Sequence, residues 1–283
     1  MSLATELERP VVVRRHQENG TGPKLLLLHG LANSSTVWND FAEQAGHEFD
    51  LWSADLPWRG EGVASWSNRG DLPGWIGEAL DEVPGGADVV VAHSFSATLL
   101  LTLLDRELAA GRDPFDKYGI RALVLVSPFY RADPESFDWA DISRYLNDFH
   151  LIMEDGIRVH SAGRLGRDLR LDLAYRVRDN VGPYGWTRFF QTYLETPWLR
   201  TDAIRVPCLL LAGERDFAAV PGEAVDLAAR LPDARVRVLS GCGHFLMSER
   251  AEAFAAAITE FVTALPTGRR PALGHRPAGE QHQ

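Results

Sequence analysis

Seven short apolar runs, most of them separated by segments of helical period, constrain this chain more than any other feature. They are VVVRR (11–15), KLLLLHG (24–30), FDLWSADLP (49–57), DVVVAHS (88–94), RALVLVSP (121–128), PCLLLAGERD (207–216) and RVRVLSGCGH (235–244). Most are apolar throughout, as strands buried on both faces require, whereas a half-solvated strand alternates. Helical period falls between them, at about 36–45, 72–82, 96–110, 222–230 and 248–264. That alternation predicts an α/β fold, a mostly parallel sheet with helices on both faces. Between Ser127 and Pro207 the rhythm stops: this stretch holds helical pieces rich in Trp, Tyr, Phe and Arg, and it reads as a helical lid inserted into the core. The expected organisation is a core of 1–128 and 201–265, a lid of 129–200 and a disordered tail of 266–283, where Pro, Gly and charge dominate.

Composition removes several classes of function. A formal net charge of −10 argues against a nucleic-acid or anionic-membrane partner, which needs clustered cations. Two cysteines, Cys208 and Cys242, make neither a disulfide framework nor a CxxC pair, so a reducing cytoplasm is the default. MSLATELERP lacks the basic start and apolar stretch of a leader, and no run approaches membrane-spanning length.

In open α/β sheets ligands bind beyond the carboxyl ends of the strands. Four strand ends stand out: His29-Gly30-Leu31, Ser94, Asp216 and His244. A serine on a tight strand-to-helix turn holds its hydroxyl clear of the sheet, with the next N–H, that of Phe95, beside the helix N-terminus. A helix-capping serine is the plain alternative. The other ends decide between them. A hydroxyl needs a base, which His244 offers from a Gly-rich loop, and the base needs an orienting carboxylate. Asp216, just past the preceding strand, is better placed for that than Asp133 at the start of the lid. The order serine, acid, histidine, each after a strand, points to a nucleophilic triad.

In these residues the chain resembles the α/β-hydrolase superfamily, in particular its capped esterases and thioesterases, from about residue 10 to 264. LLLLHGLANSSTVW resembles that family's oxyanion-region HG loop, ADLPWRGEG its DLPGHG-type segment, VAHSFSA its GHSxG-type elbow, LAGERD its acid loop and GCGHF its histidine loop. The resemblance implies the α/β-hydrolase fold with the lid after the sixth strand, catalysis by Ser94, Asp216 and His244, and an oxyanion hole from the backbone N–H groups of Leu31 and Phe95. It implies no cofactor and no metal. Two departures stand out: Ala92 and Ser96 replace both elbow glycines, and Trp58-Arg59 replaces the usual Gly-His.

The lid's aromatic density favours a hydrophobic acyl substrate, free or carrier-bound. His29, Gly30, Trp58, Phe129, Tyr130 and Trp186 are candidate substrate-binding residues, although the His29 ring suits bracing its loop better than touching substrate and Trp58 suits packing under the lid at least as well. Arg164, Arg167 and Arg170 either meet an anionic carrier arm or form a solvated helix face. Three functions follow: hydrolysis of an ester or thioester; acyl transfer, cyclisation or elimination on the same triad in natural-product tailoring; or ligand binding with vestigial catalysis.

Overall fold

The computed structural model describes residues 10–16, 20, 22–45, 48–60, 66–68 and 71–266. Each of the seven runs forms a strand: β1 (Val12–Arg15), β2 (Lys24–Leu28), β3 (Asp50–Asp55), β4 (Val89–His93), β5 (Ala122–Val126), β6 (Cys208–Gly213) and β7 (Ala234–Leu239). They form one sheet in the order β1-β3-β2-β4-β5-β6-β7, with β1 antiparallel to β3 and every other pair parallel. The inner strands β4, β5 and β6 are buried along their whole length. The edge strands carry arginines, Arg14 and Arg15 on β1 and Arg235 and Arg237 on β7, which discourage pairing with another chain.

The helices are α1 (Asn39–Ala45), α2 (Leu72–Asp81), α3 (Phe95–Ala109), α4 (Pro114–Tyr118), α5 (Trp139–His160), α6 (Arg167–Leu194), α7 (Pro221–Arg230), α8 (Leu246–Glu249) and α9 (Ala251–Thr263). Alternate residues of a strand face opposite sides of the sheet, and the core divides accordingly. Leu26, Leu28, Val90, Leu123 and Leu125 pack with Ile76 and Leu80 of α2, Leu100 and Leu104 of α3 and Leu227 of α7. Leu25, Leu27, Val91 and Val124 pack with Phe41 of α1 and Phe254 and Ile258 of α9. Both faces are therefore covered, which is why the inner strands β4, β5 and β6 read as nearly unbroken apolar runs. The short α4 was not foreseen, since five residues are too few to display a period. Among the described residues no helix is long and apolar enough to cross a membrane.

The helical segment leaves β5, the fifth strand of the chain, and returns into β6. Among the described residues five strands, not six, precede the segment, and β1 is an antiparallel edge. α5 begins at a capping box, Asp138 with Asp141, and buries Tyr145, Phe149, Met153 and Gly156 at steps of four, four and three, one face of a helix. α6 breaks at Gly182, where φ 68° and ψ 172° leave the helical region just ahead of Pro183. The expected disordered tail lies, beyond Pro266, outside the described residues.

Candidate active site

The strand order reverses between β2 and β4, so a crevice opens where these neighbouring strands end. β2 runs into His29-Gly30-Leu31 and β4 into Ser94. Ser94 has φ 56° and ψ −122°, a conformation L residues rarely adopt. Hydrogen bonds hold it there: its N–H donates to Val126 O at 2.8 Å, and its own carbonyl accepts from Ala97 N–H at 2.9 Å. Ala92 and Ser96, both fully buried, fill the two places where glycine was expected. The Ser96 hydroxyl also donates to the carbonyl of His29, tying the elbow to the β2 loop. Phe95 opens α3, so its N–H belongs to the first turn, where no intrahelical acceptor exists.

The other two strand-end residues converge on this turn. Ser94 Oγ lies 3.0 Å from His244 Nε2, and His244 Nδ1 lies 2.8 Å from Asp216 Oδ2. All three side chains are buried. Asp216 Oδ1 accepts the N–H groups of Ala218 and Ala219 at 2.9 and 3.0 Å, so the carboxylate is held by backbone on one oxygen and faces histidine with the other. This fixes the imidazole with Nδ1–H toward Asp216 and the Nε2 lone pair toward Ser94. Asp133 instead caps the turn Pro134–Ser136, accepting Glu135 N–H at 2.9 Å. The histidine loop and the acid loop touch through their backbones. A Cβ on Gly213 would lie 2.1 Å from Gly243 O, and Arg215 N–H donates to Cys242 O at 2.9 Å. Gly243 N–H donates to Glu249 at 3.0 Å, and Arg158 of α5 bridges Glu249 and Asp155.

Three buried histidines stand close together and differ in charge preference. Burial acts to lower the His244 pKa, but the Asp216 carboxylate, aided by Asp155 and Glu249, outweighs it and leaves the pKa raised. Burial dominates at His93 and holds its pKa well below the usual value, with His244 adding repulsion. A neutral His93 donates from Nε2 to the His244 carbonyl at 3.0 Å. Burial also brings His29 down to about 4. Its Nδ1 donates to Gly30 O at 2.8 Å and its Nε2 accepts from Leu56 N–H at 2.9 Å.

A cavity of about 90 Å³ opens beside Ser94 and His244, lined by Gly30 and Leu31 from the β2 loop, Phe129, and residues of α5 and α6 such as Phe149, Ile152 and Phe189. Of the candidate substrate-binding residues, Gly30 and Phe129 line it. The other four do not line it. His29 is fully buried and braces its own loop through the two bonds above. Trp58 packs in an aromatic cluster with Trp66, Trp75 and Phe95, where apolar burial outweighs exposure. Tyr130 lies away from the cavity, its N–H bonded to Glu223 at 2.8 Å. Trp186 stacks on Phe190 and lines a separate cavity. Of the arginines singled out between residues 129 and 200, Arg170 pairs with Glu154, joining α6 to α5, and Arg164 Nε donates to Ser161 O.

Sequence reasoning missed a polar knot beside the site. Glu223, at the start of α7, accepts Tyr193 O–H at 3.0 Å; Tyr145 O–H lies 3.2 Å from Tyr193 Oη, and Arg131 Nη1 lies 3.3 Å from the same oxygen. Burial is the main reason that the Glu223 carboxyl is pushed up to about 8, with Asp216 adding to it against the Tyr130 and Tyr193 bonds. Glu223 follows Pro221 in an ordinary helix start, so only tertiary packing distinguishes it. The cavity residues Ile152, Met153, Gly156 and His160 were also missed, although their shared helix face was readable from the period.

The comparisons with known proteins agree with this architecture. Residues 25–257 match the model of the alpha/beta hydrolase family. The chain is 24% identical to N-formylmaleamate deformylase of Pseudomonas putida, over 88% of this chain and 93% of that protein. It is 26% identical to a pimeloyl-[acyl-carrier protein] methyl ester esterase of Neisseria meningitidis, over 91% and 84% of the two. Among solved structures, a bromoperoxidase from Bacillus anthracis superposes with a TM-score of 0.66 at 17% identity, covering 89% of this chain and 95% of that one. With the sheet order, the elbow and the matched span taken together, this chain belongs to the α/β-hydrolase family.

Proposed function

We propose that this protein is a serine hydrolase that cleaves an ester or thioester of a hydrophobic small molecule through an acyl-enzyme on Ser94. The observation that carries this reading is the unbroken line Asp216–His244–Ser94, at 2.8 and 3.0 Å, opening onto an apolar cavity. Ser94 Oγ bonds to the carbonyl carbon while its proton passes to His244 Nε2. The resulting oxyanion sits against the N–H groups of Leu31 and Phe95. Collapse breaks the bond to the leaving group, which takes the proton from His244 as it departs. Water then repeats the sequence on the acyl-enzyme, with His244 first as base and then as acid, and releases the carboxylic acid. Asp216 holds the Nδ1–H tautomer and stabilises the imidazolium.

Family membership and the esterase among the relatives support hydrolysis. That relative's name also supports an acyl group presented on a carrier, with residues 129–200 acting as the lid over it. Buried, unpaired Cys208 and Cys242 suit a reducing cytoplasm. Hydrolysis of p-nitrophenyl acetate and of an acetyl thioester tests the reading. Release of free acid, abolished in Ser94→Ala, supports it; a folded wild-type protein inert toward both, or one that releases a product other than the acid, overturns it.

A further inference from the structure

The cavity beside Ser94 is small for the substrate just described. At about 90 Å³ it holds less than the benzene-sized group that fits an apolar cavity of about 150 Å³. A second cavity, of about 540 Å³, is an open groove between α5 and α6 with Leu146, Pro183 and Thr187 exposed along it, and that volume is in the range of ordinary ligand clefts. Its walls are Leu146, Phe149, Gly182, Pro183, Trp186 and Thr187, with the Arg178–Asp179 ion pair also on its lining. Phe149 lines both cavities. It is buried, on the inward stripe of α5, and its ring lies 5.9 Å from that of Phe189, which lines only the Ser94 cavity of the two. The second cavity also sits at the one place where α6 leaves helical geometry, at Gly182.

We propose that the two cavities are one acyl site divided by the ring of Phe149, the small chamber taking the carbonyl end and the lid cavity taking the rest of an extended, apolar acyl chain. Rotation of an aromatic side chain about χ1 is a motion compatible with turnover, and it joins the spaces without requiring the whole lid to open. The walls fit such an occupant: Leu146, Pro183 and Trp186 offer apolar surface. The side chain of Phe149 thereby sets chain-length preference. This deepens the proposed hydrolase function and rests on it.

The test compares kcat/KM for p-nitrophenyl decanoate with that for p-nitrophenyl acetate, the leaving group being constant. Phe149→Ala removes the partition and raises the decanoate-to-acetate ratio by about tenfold or more; Thr187→Trp fills the lid cavity and lowers it by a similar factor. Leu146→Trp fills the same space from the other helix and serves if Thr187→Trp does not fold. Calorimetric binding of decanoate to Ser94→Ala protein reads the site without turnover, and this binding is lost when Thr187→Trp is added. Ratios within about twofold of wild type in the folded variants, or decanoate binding indifferent to Thr187→Trp, overturn the proposal. Decanoate binding that responds to Thr187→Trp in a protein inert toward both esters upholds the divided site and counts against the hydrolase reading alone.

Discussion

Ser96 Oγ donates to the backbone carbonyl of His29 across the gap between two neighbouring strand ends. The bond joins the turn that presents Ser94 to the loop that carries Leu31, so the proposed nucleophile and oxyanion donors are positioned as one unit. Ser96→Ala leaves the turn sterically acceptable and removes the tie. Stability falls by about 1–3 kcal/mol, the cost of taking a hydrogen-bond partner from a buried carbonyl. Turnover falls further than the loss of folded protein explains, because the oxyanion donors lose their register with Ser94. Urea denaturation and kcat on p-nitrophenyl acetate measure the two effects separately; an unchanged kcat in the destabilised variant contradicts the link.

In the proposed mechanism Asp216 acts through His244. Asp216→Asn keeps the hydrogen bonds from Ala218 and Ala219 available but presents an amide that favours the wrong imidazole tautomer, so kcat falls by about 10⁴-fold with the fold retained. Asp133→Asn, at the turn cap, leaves kcat within about twofold of wild type. Steady-state kinetics on both variants checks the assignment, and the reverse pattern contradicts it.

The pH profile follows from the raised His244 pKa. The base works only when neutral, so kcat/KM falls as pH drops through a value above the ordinary histidine value of 6.5. In Asp216→Asn the attraction that opposes burial is gone, and the acid limb of the residual activity moves to lower pH. Profiles of kcat/KM between pH 5 and 9 test this. A limb below pH 6 in the wild type, or one that stays in place in the variant, is the contrary result.

Glu223 makes a separate contribution to stability against pH. Its folded pKa, about 8, exceeds the unfolded value near 4.5, so the native state binds the extra proton between these limits. Stability therefore declines as pH rises across that window, by up to about 1.4 kcal/mol per pH unit from this group. Glu223→Gln, which cannot ionise, gains on the wild type from pH 5 to 8 and holds its advantage above 8. Chemical denaturation at pH 5, 6.5 and 8 measures the gap; parallel curves contradict the assignment.

Much of this architecture was legible because its causes are local. Leu25 through Leu28 form an unbroken apolar run because alternate residues meet opposite helical layers, and Ser94, Asp216 and His244 stand out because each follows a strand. The side chains that line the cavity were harder to read. Trp58 and Trp186 look in sequence like any aromatic near a site, and only packing sends one into the cluster with Trp66 and Phe95 and stacks the other on Phe190. Glu223 carries no local signal, since burial and the distant Tyr193 determine its behaviour. Ser96 shows a third case: by the glycine pattern it is a departure, yet its hydroxyl makes a bond that glycine has no atom to make.

The central claim is that Ser94 is an activated nucleophile, and covalent labelling by a fluorophosphonate tests it most directly. Attack by Ser94 Oγ expels fluoride and leaves a tetrahedral phosphorus adduct that resembles the acyl-transfer transition state, with its oxygen against the N–H groups of Leu31 and Phe95. Intact-protein mass spectrometry with peptide mapping gives one label per chain, on Ser94, absent in Ser94→Ala and formed far more slowly in His244→Ala, since nucleophile and base act together. Labelling at another residue, or none in a folded sample, contradicts the account.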